Sequence, residues 1–424
     1  MAYIMSDNKN DNEVLYTIPV TRAWLDQFIL VLNLSGQSSY RRISLASQWL
    51  LDYNLSLDKI HHSIVKHDTS ILRIHNTENL KQVCCCANDE LFQSNTPILA
   101  GAHPHSLYCY LLTRETHRDY ETWAINLLDL MDKGFNPNHG VADNGQGLRK
   151  GHAEAMPNVP MRGDHYHVLK TLGDLKRHLT NKCKQSETAV IMALEKGEPV
   201  TELSSALANY EHVKQTMKTL IGWLRMDVLR VAGPNPTDRS MLYDFIVSEI
   251  EDIEHRYPEK LGPIKRALLR QKPQLLSFVE AMSNSIDTIA KDYKVSTDVC
   301  WQMCEMLRYK PGREKQVKIE IGLRKTLRNK YYFLHKDISQ LVEMTIRTSS
   351  CIENYNSRIR PYFVLRKQVD QSFLDRLRFF LNYSPFLDSS IPERRGKTPA
   401  QLLFKKDHPC WLEMLGYTMF KRSA

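Results

Sequence analysis

The hydrophobic period changes at residue 81, and that change constrains the fold more than any other feature of the chain. From there three short runs rich in small and aromatic residues follow one another, QVCCCANDELF, TPILAGA and SLYCYLL. Each reads as a β-strand. YETWAINLLDLMDKG then reads as a helix stopped by Gly134, HGVAD as a fourth strand, GLRKGHAEAM as a second helix and VPMRGDHYHV as a fifth strand. The order β-β-β-α-β-α-β specifies an α/β core built on a mixed five-stranded sheet, not a doubly wound one.

Around this core the pattern is helical. VTRAWLDQFILVLNL places Trp24, Phe28, Val31 and Leu32 at helical spacing. YRRISLASQWLLDYN follows a small turn, and Ser56 is placed to cap LDKIHHSIVKHDTSILRI. Three helices with short turns, carrying Arg41, Arg42 and Lys59 with His61 and His62, suit a DNA-binding helix-turn-helix. A plain helical bundle with solvated basic faces fits the same residues equally well. Between about 170 and 337 the chain is almost wholly amphipathic helix, punctuated by Pro234, Pro236, Pro258, Pro263 and Pro273. One more helix, DISQLVEMTIRTSSCIENYNSRIR, is expected to end at Pro361.

The expected organisation is a helical region at 1–80, a first part of the core at 81–170 and a helical insertion at 171–337. A returning helix at 338–384 and a basic tail at 385–424 complete it. A length of 424 residues is more than one core usually serves. The net charge of +9 favours a polyanionic partner. Nine cysteines, three of them adjacent at Cys84, Cys85 and Cys86, read as reduced thiols of a cytosolic protein rather than a disulfide framework. No run is long enough for a membrane span, so no membrane partner is expected. His103 and His105 with His165 bring zinc to mind, but no fourth ligand completes the set at plausible spacing.

Three carboxylates could share one site. Asp89 continues the face of the first strand that Val83, Cys85 and Ala87 bury. Asp143 ends the fourth strand at VADNGQGLRKG, where Gly145 and Gly147 allow a quick turn at the sheet's carboxyl edge. Glu353 falls in the apolar sector formed by Ile338, Leu341, Val342, Thr345, Ile346, Ser349, Ile352 and Ile359. An acid there is costly unless it is paired or binds metal. An inward glutamate paired with an arginine is the alternative. Acids gathered from separate elements suit divalent-metal phosphodiester chemistry, because magnesium favours carboxylate oxygens and keeps waters.

DELFQSNTPILAG with YCYLL, VADNGQGLRKG with AMPNVPMRGDHYHVLK, SSCIENYNSRIRPYFVLRK, and FFLNYSPFLDSSIPERRGKTPAQLLF follow one another in this order. Together they resemble the RNase H-like DDE transposases of bacterial insertion sequences, including Mutator-like relatives with helical insertions. The resemblance runs from about Arg22 to Phe404. It implies an RNase H-like fold and a catalytic, metal-binding triad of Asp89, Asp143 and Glu353 holding two Mg2+ (or Mn2+) ions. It also implies a transposase that cleaves element ends and joins their 3′-hydroxyls to target DNA. Asp164 and His167, expected to close the fifth strand, would be a supporting pair. The implied setting is a bacterial cytoplasm, nucleoid-associated, with double-stranded DNA and a homo-oligomer on it as partners. Relatives often carry aspartate where this chain has His103, which would inactivate this copy if that position were a metal ligand. Asp89, on the opening strand, is preferred.

Phosphate contacts are expected from Arg358, Arg360, Arg366 and Lys367, from Arg394, Arg395 and Lys397, and from Arg41, Arg42 and Lys59 in the N-terminal helices. Two rivals stand beside the transposase reading. One is an inactive or truncated remnant that only binds DNA. The other is a nuclease of the same fold without strand transfer.

Overall fold

The structure, a computed structural model, describes residues 17–142, 145–345, 350–364, 366, 368–389 and 391–420. Four helices open it: α1 (Arg22–Leu30), α2 (Tyr40–Leu51), α3 (Leu57–Val65) and α4 (Asp68–Asn76). Ser56 caps α3 as its position suggests, its Oγ accepting from Lys59 N at 3.1 Å. The single helix expected after it is two. The chain turns at Lys66 and His67, which lets Lys66 Nζ reach the buried Asp26 carboxylate at 2.5 Å and His67 Nε2 reach Tyr417 Oη at 2.8 Å. Partners from α1 and the tail thus outweigh continued helical periodicity.

The sheet follows in the expected order: β1 (Cys85–Gln93), β2 (Thr96–Ala102), β3 (Cys109–Arg114), α5 (Tyr120–Asp132), β4 (His139–Ala142), α6 (Gln146–Ala155) and β5 (Met161–Gly163). Its strand order is β3-β2-β1-β4-β5. β1 runs antiparallel to β2 and parallel to β4, and β4 runs parallel to β5. The sheet is therefore mixed. β3 begins later than SLYCYLL suggests, because His103 to Leu107 form a tight connection with Leu107 in the left-handed region at φ 58°.

Gly134, at φ 84°, ends α5 as its position predicts. The chain does pass from β4 to α6 within a few residues, but neither Gly145 nor Gly147 adopts the left-handed backbone that favours glycine. Gly145 has an ordinary φ of −55°, and Gly147 lies inside α6. A Cβ on Gly147 would meet Arg118 O at 2.3 Å, and one on Gly151 would meet Tyr120 O at 2.5 Å. These glycines let α6 lie close against the start of α5.

β5 is three residues long, and the chain then enters α7 (His165–Glu195). Six further helices make up the helical region: α8 (Thr201–Trp223), α9 (Pro236–Glu254), α10 (Pro258–Tyr293), α11 (Thr297–Met306), α12 (Glu314–Leu327) and α13 (Tyr331–Met344). Pro236 and Pro258 open helices, where a missing N–H costs nothing, but Pro263 and Pro273 lie inside α10. Two hydrophobic cores of its own hold this region. The buried Arg239 is satisfied by carbonyls, donating to Pro234 O, Val228 O and Val231 O at 2.7–2.8 Å.

The returning helix differs from expectation in two ways. α13 ends at Met344, where Thr345 is extended, and α14 (Ser350–Val364) is a separate helix. Pro361 lies within α14 rather than ending it, so the helix runs on to Val364. α15 (Gln371–Tyr383), α16 (Pro399–Phe404) and α17 (Trp411–Met414) complete the chain. One hydrophobic core joins the sheet to both chain ends, taking in Ile29 and Ile64 from the first helices, Ala87 and Leu99 from the sheet, Ile352 and Phe373 from α14 and α15, and Trp411. Under it, the buried Arg378 of α15 pairs with Glu78 and donates to Cys109 O at 3.1 Å, tying the segment after α4 to β3 and α15.

Candidate active site

Because β1, β4 and β5 are parallel, their carboxyl ends share one edge of the sheet. Ala87 lies beside Val141, Val141 beside Arg162 and Ala142 beside Gly163. Asp89 is two residues past Ala87 on the same face, and Asp164 directly follows Gly163. With strands about 4.8 Å apart, Asp89 and Asp164 flank the end of β4 at Ala142. Asp143 lies outside the described residues.

α14 brings the third element to this edge. Asn356, fully buried, donates from Nδ2 to Asp89 Oδ2 at 2.6 Å, while Asp89 Oδ1 accepts from Glu90 N at 2.8 Å. Asn356 Oδ1 is buried without a hydrogen-bond partner among the described residues. Glu353 stands one helical turn before Asn356, so their Cβ atoms are about 5–6 Å apart. The Glu353 side chain is 26% exposed and lies 3.8 Å from Arg360 Nη2.

The expectation of a glutamate inside a continuous apolar stripe is therefore corrected. α13 and α14 are separate helices and share no common phase. Among the described side chains of α14 the buried positions are Ile352, Tyr355, Asn356, Ile359, Tyr362 and Phe363, with Glu353 beside the first three. The polar group buried in the stripe is Asn356, a residue the sequence reading passed over. An amide three positions after the acid, in phase with Ile352 and Ile359, was the available signal.

Asp164 and His167 do not close a strand. Asp164 caps α7, its Oδ1 accepting from Tyr166 N at 2.9 Å, and its Oδ2 lies 2.6 Å from His167 Nδ1. A carboxylate that satisfies a first-turn N–H starts a helix at His165 despite the strand-like residues after it. The two side chains do form a hydrogen-bonded pair, with the Asp164 carboxylate 1% exposed.

The basic residues divide into two groups. Arg41, Arg42, Lys59, Arg360, Arg395 and Lys397 are exposed. Lys59 also faces Asp26 at 3.5 Å, and Arg395 Nε donates to Ser389 O at 2.8 Å. Arg366 packs its guanidinium 3.8 Å from the centre of the Phe373 ring, and Arg394 donates to Pro104 O and His105 O at 3.1 Å. Arg358 is mostly covered, its Nη1 buried without a hydrogen-bond partner among the described residues, and burial holds its pKa below the usual value. Lys367 lies outside the described residues.

At the amino end of the same strand stands a second cluster. Cys84 Sγ lies 3.9 Å from Cys85 Sγ and 3.6 Å from His103 Nε2. Hydrogen bonds from Cys85 and then His103 bring the Cys84 thiol down to about 4. His103 is thus held at the end of the sheet opposite Asp89. His165, thought of beside it, is elsewhere, its Nε2 2.8 Å from Leu275 O.

No protein-family model matches the chain, and no curated protein matches it. Among solved structures, it is similar to a chain of the Drosophila P element transposase strand transfer complex. The sequences are 12% identical, with 94% of this chain and 92% of that chain covered and a TM-score of 0.29. A likeness at that level transfers neither fold nor function.

Proposed function

We propose that the chain is a metal-dependent DNA strand-cleaving and strand-transferring enzyme of the RNase H-like DDE class. The observation that carries this reading is the hydrogen bond from Asn356 to Asp89. It joins the helix bearing Glu353 to the strand bearing Asp89, at the edge where β4 delivers the chain to Asp143. The strand order and the mixed directions of the sheet agree with such a core.

The donors fit a hard divalent cation. Asp89 and Glu353 offer carboxylate oxygens, and Asn356 Oδ1 is a buried acceptor with no protein donor among the described residues. Asp89, Asp143 and Glu353 would hold two Mg2+ or Mn2+ ions, which supply the charge that activates an attacking oxygen and stabilises the leaving one. The chain's own part is positioning. Asn356 orients the Asp89 carboxylate, and the Asp164–His167 pair fixes the junction of β5 and α7 beside it. Arg360, beside Glu353, is exposed for a DNA phosphate, as are Arg41 and Arg42 on α2 and Lys397 in the tail. Element ends and target DNA are the substrates in this reading, held by a homo-oligomer in a bacterial cytoplasm.

The test is nicking of DNA carrying the element's flanking ends, with magnesium or manganese, by wild type and by Asp89→Ala, Asp143→Ala and Glu353→Gln. Activity in wild type that falls to background in all three supports the site. Nicking without joining of the 3′-hydroxyl ends would make the enzyme a nuclease. Tight DNA binding without any nicking would make it an inactive DNA-binding remnant.

A further inference from the structure

We propose that Cys84, Cys85 and His103 form a zinc site that staples the amino end of β1 to the β2–β3 connection. The three residues offer ligand atoms that all lie within 4.8 Å of one another. Zinc bonded to thiolate at about 2.3 Å and to imidazole at about 2.0–2.1 Å places tetrahedral ligands about 3.8 Å apart for S to S and about 3.6 Å apart for S to N. The corresponding separations here are 3.9 Å for Cys84 Sγ to Cys85 Sγ and 3.6 Å for Cys84 Sγ to His103 Nε2. Two of the three separations thus match edges of a zinc tetrahedron, and Cys85 and His103 lie within 4.8 Å of each other.

Two neighbours serve the site. His103 Nδ1 lies 2.8 Å from Ser106 Oγ and accepts from Ser106 N at 3.3 Å. Zinc at Nε2 needs the other tautomer, in which Nδ1 gives up the Ser106 N–H and donates to that hydroxyl while Nε2 exchanges its proton for the metal. The same Oγ also accepts from Tyr108 N at 3.2 Å, so the orienting residue is itself held. His139, outside the group of three, is the side chain that would swing in as the fourth ligand. It stands beside Cys85 in the β1–β4 register, so both side chains leave the same face of the sheet, and its Nε2 is buried without a hydrogen-bond partner among the described residues. Two thiolates and two imidazoles make a set that selects zinc over magnesium.

The site is separate from the carboxylates. Cys85 and Asp89 lie on one face of β1, four residues apart and so about 13 Å from each other. Its ligands come from β1, from the connection after β2 and from β4, which the backbone joins only through the sheet itself. A bound ion would cross-link them at the edge away from the chemistry.

The full-length chain, purified without chelator, should carry about one zinc per chain by elemental analysis. Replacing zinc with cobalt should give the thiolate-to-cobalt charge-transfer band and the strong visible bands of a tetrahedral site. Cys84→Ser, Cys85→Ser and His103→Ala should each abolish that spectrum, while Cys410→Ser, in the tail, should leave it unchanged. Ser106→Ala should weaken zinc binding roughly 10–100-fold. Should these variants fail to fold, alkylation of wild type gives the answer. Zinc should protect Cys84 and Cys85 from the reagent but leave Cys410 reactive. The proposal is overturned if reduced, zinc-supplied wild type holds no stoichiometric metal, if the cobalt spectrum survives Cys84→Ser, or if zinc leaves the alkylation of Cys84 and Cys85 unchanged.

Discussion

The two ends of β1 carry opposite chemistry on one face. At the carboxyl end Asp89 meets a helix that brings an amide and a second carboxylate, so the donors are hard oxygens and Glu353 stays partly open to solvent. At the amino end Cys84 and Cys85 meet His103, so the donors are soft sulfur and nitrogen, with Cys85 and His103 buried. On the two proposals above, the difference would follow from what each end does. A site that handles DNA has to admit a bulky polyanion and exchange ligands, which suits oxygen donors and exposure. A site that joins strands needs closed coordination and bonds that do not exchange.

The largest expected effect is a double dissociation. Asp89→Ala should abolish metal-dependent nicking yet leave the zinc content near wild type. Cys84→Ser should lose zinc and lower the midpoint, while folded protein retains nicking. Measuring nicking, zinc and Tm on both variants checks this. If Cys84→Ser protein that is still folded loses nicking as completely as Asp89→Ala does, the two ends are one functional unit and the contrast collapses.

Asn356→Ala should come next, with nicking down roughly 10–100-fold, the range for removing a residue that orients a metal-binding carboxylate. The loss should shrink as manganese is raised if the defect is in cation affinity. A fall that no metal concentration relieves would place Asn356 in packing alone.

The core was largely legible in the sequence because strand and helix periods differ sharply. The passage from QVCCCANDELF to GLRKGHAEAM keeps its elements in the expected order. Boundaries were not legible where a tertiary partner decides them. HYHV reads as strand, yet Asp164 caps a helix there. LDKIHHSIVKHDTSILRI reads as one helix, yet Lys66 leaves it for Asp26. Both sites depend on contacts between residues far apart in the chain. Asn356 meets Asp89 across 267 positions, and His103 meets Cys84 only because β2 folds back on β1. The Asp143 reading rests on its place after β4, since the residue itself lies outside those described.

A smaller effect separates failure of either site from failure of the fold. Burial, then the nearby Lys66 charge, lowers the His67 pKa from its usual 6.5 to about 4. Between these values the unfolded chain binds the extra proton and the folded one does not. Stability from this group is therefore complete above pH 6.5 and is lost progressively as the pH falls toward 4. Denaturant unfolding across that window should show the slope, and His67→Phe should flatten it. Any loss of nicking or zinc at a pH where the fold is intact then belongs to the site concerned.

The smallest effect tests what Glu353 is for. Its contact with Arg360 is 3.8 Å long, between side chains 26% and 61% exposed. An ion pair of that kind contributes about 0–1 kcal/mol. Arg360→Ala should therefore change unfolding free energy by less than about 1 kcal/mol, while DNA affinity falls and its salt dependence becomes shallower through loss of one phosphate contact. A stability loss of about 3 kcal/mol or more, the range for breaking a buried pair, would mean that Glu353 is held as a structural partner of Arg360. The carboxyl end of β1 would then be as closed as the amino end, and the case for an open oxygen-donor site there would fail.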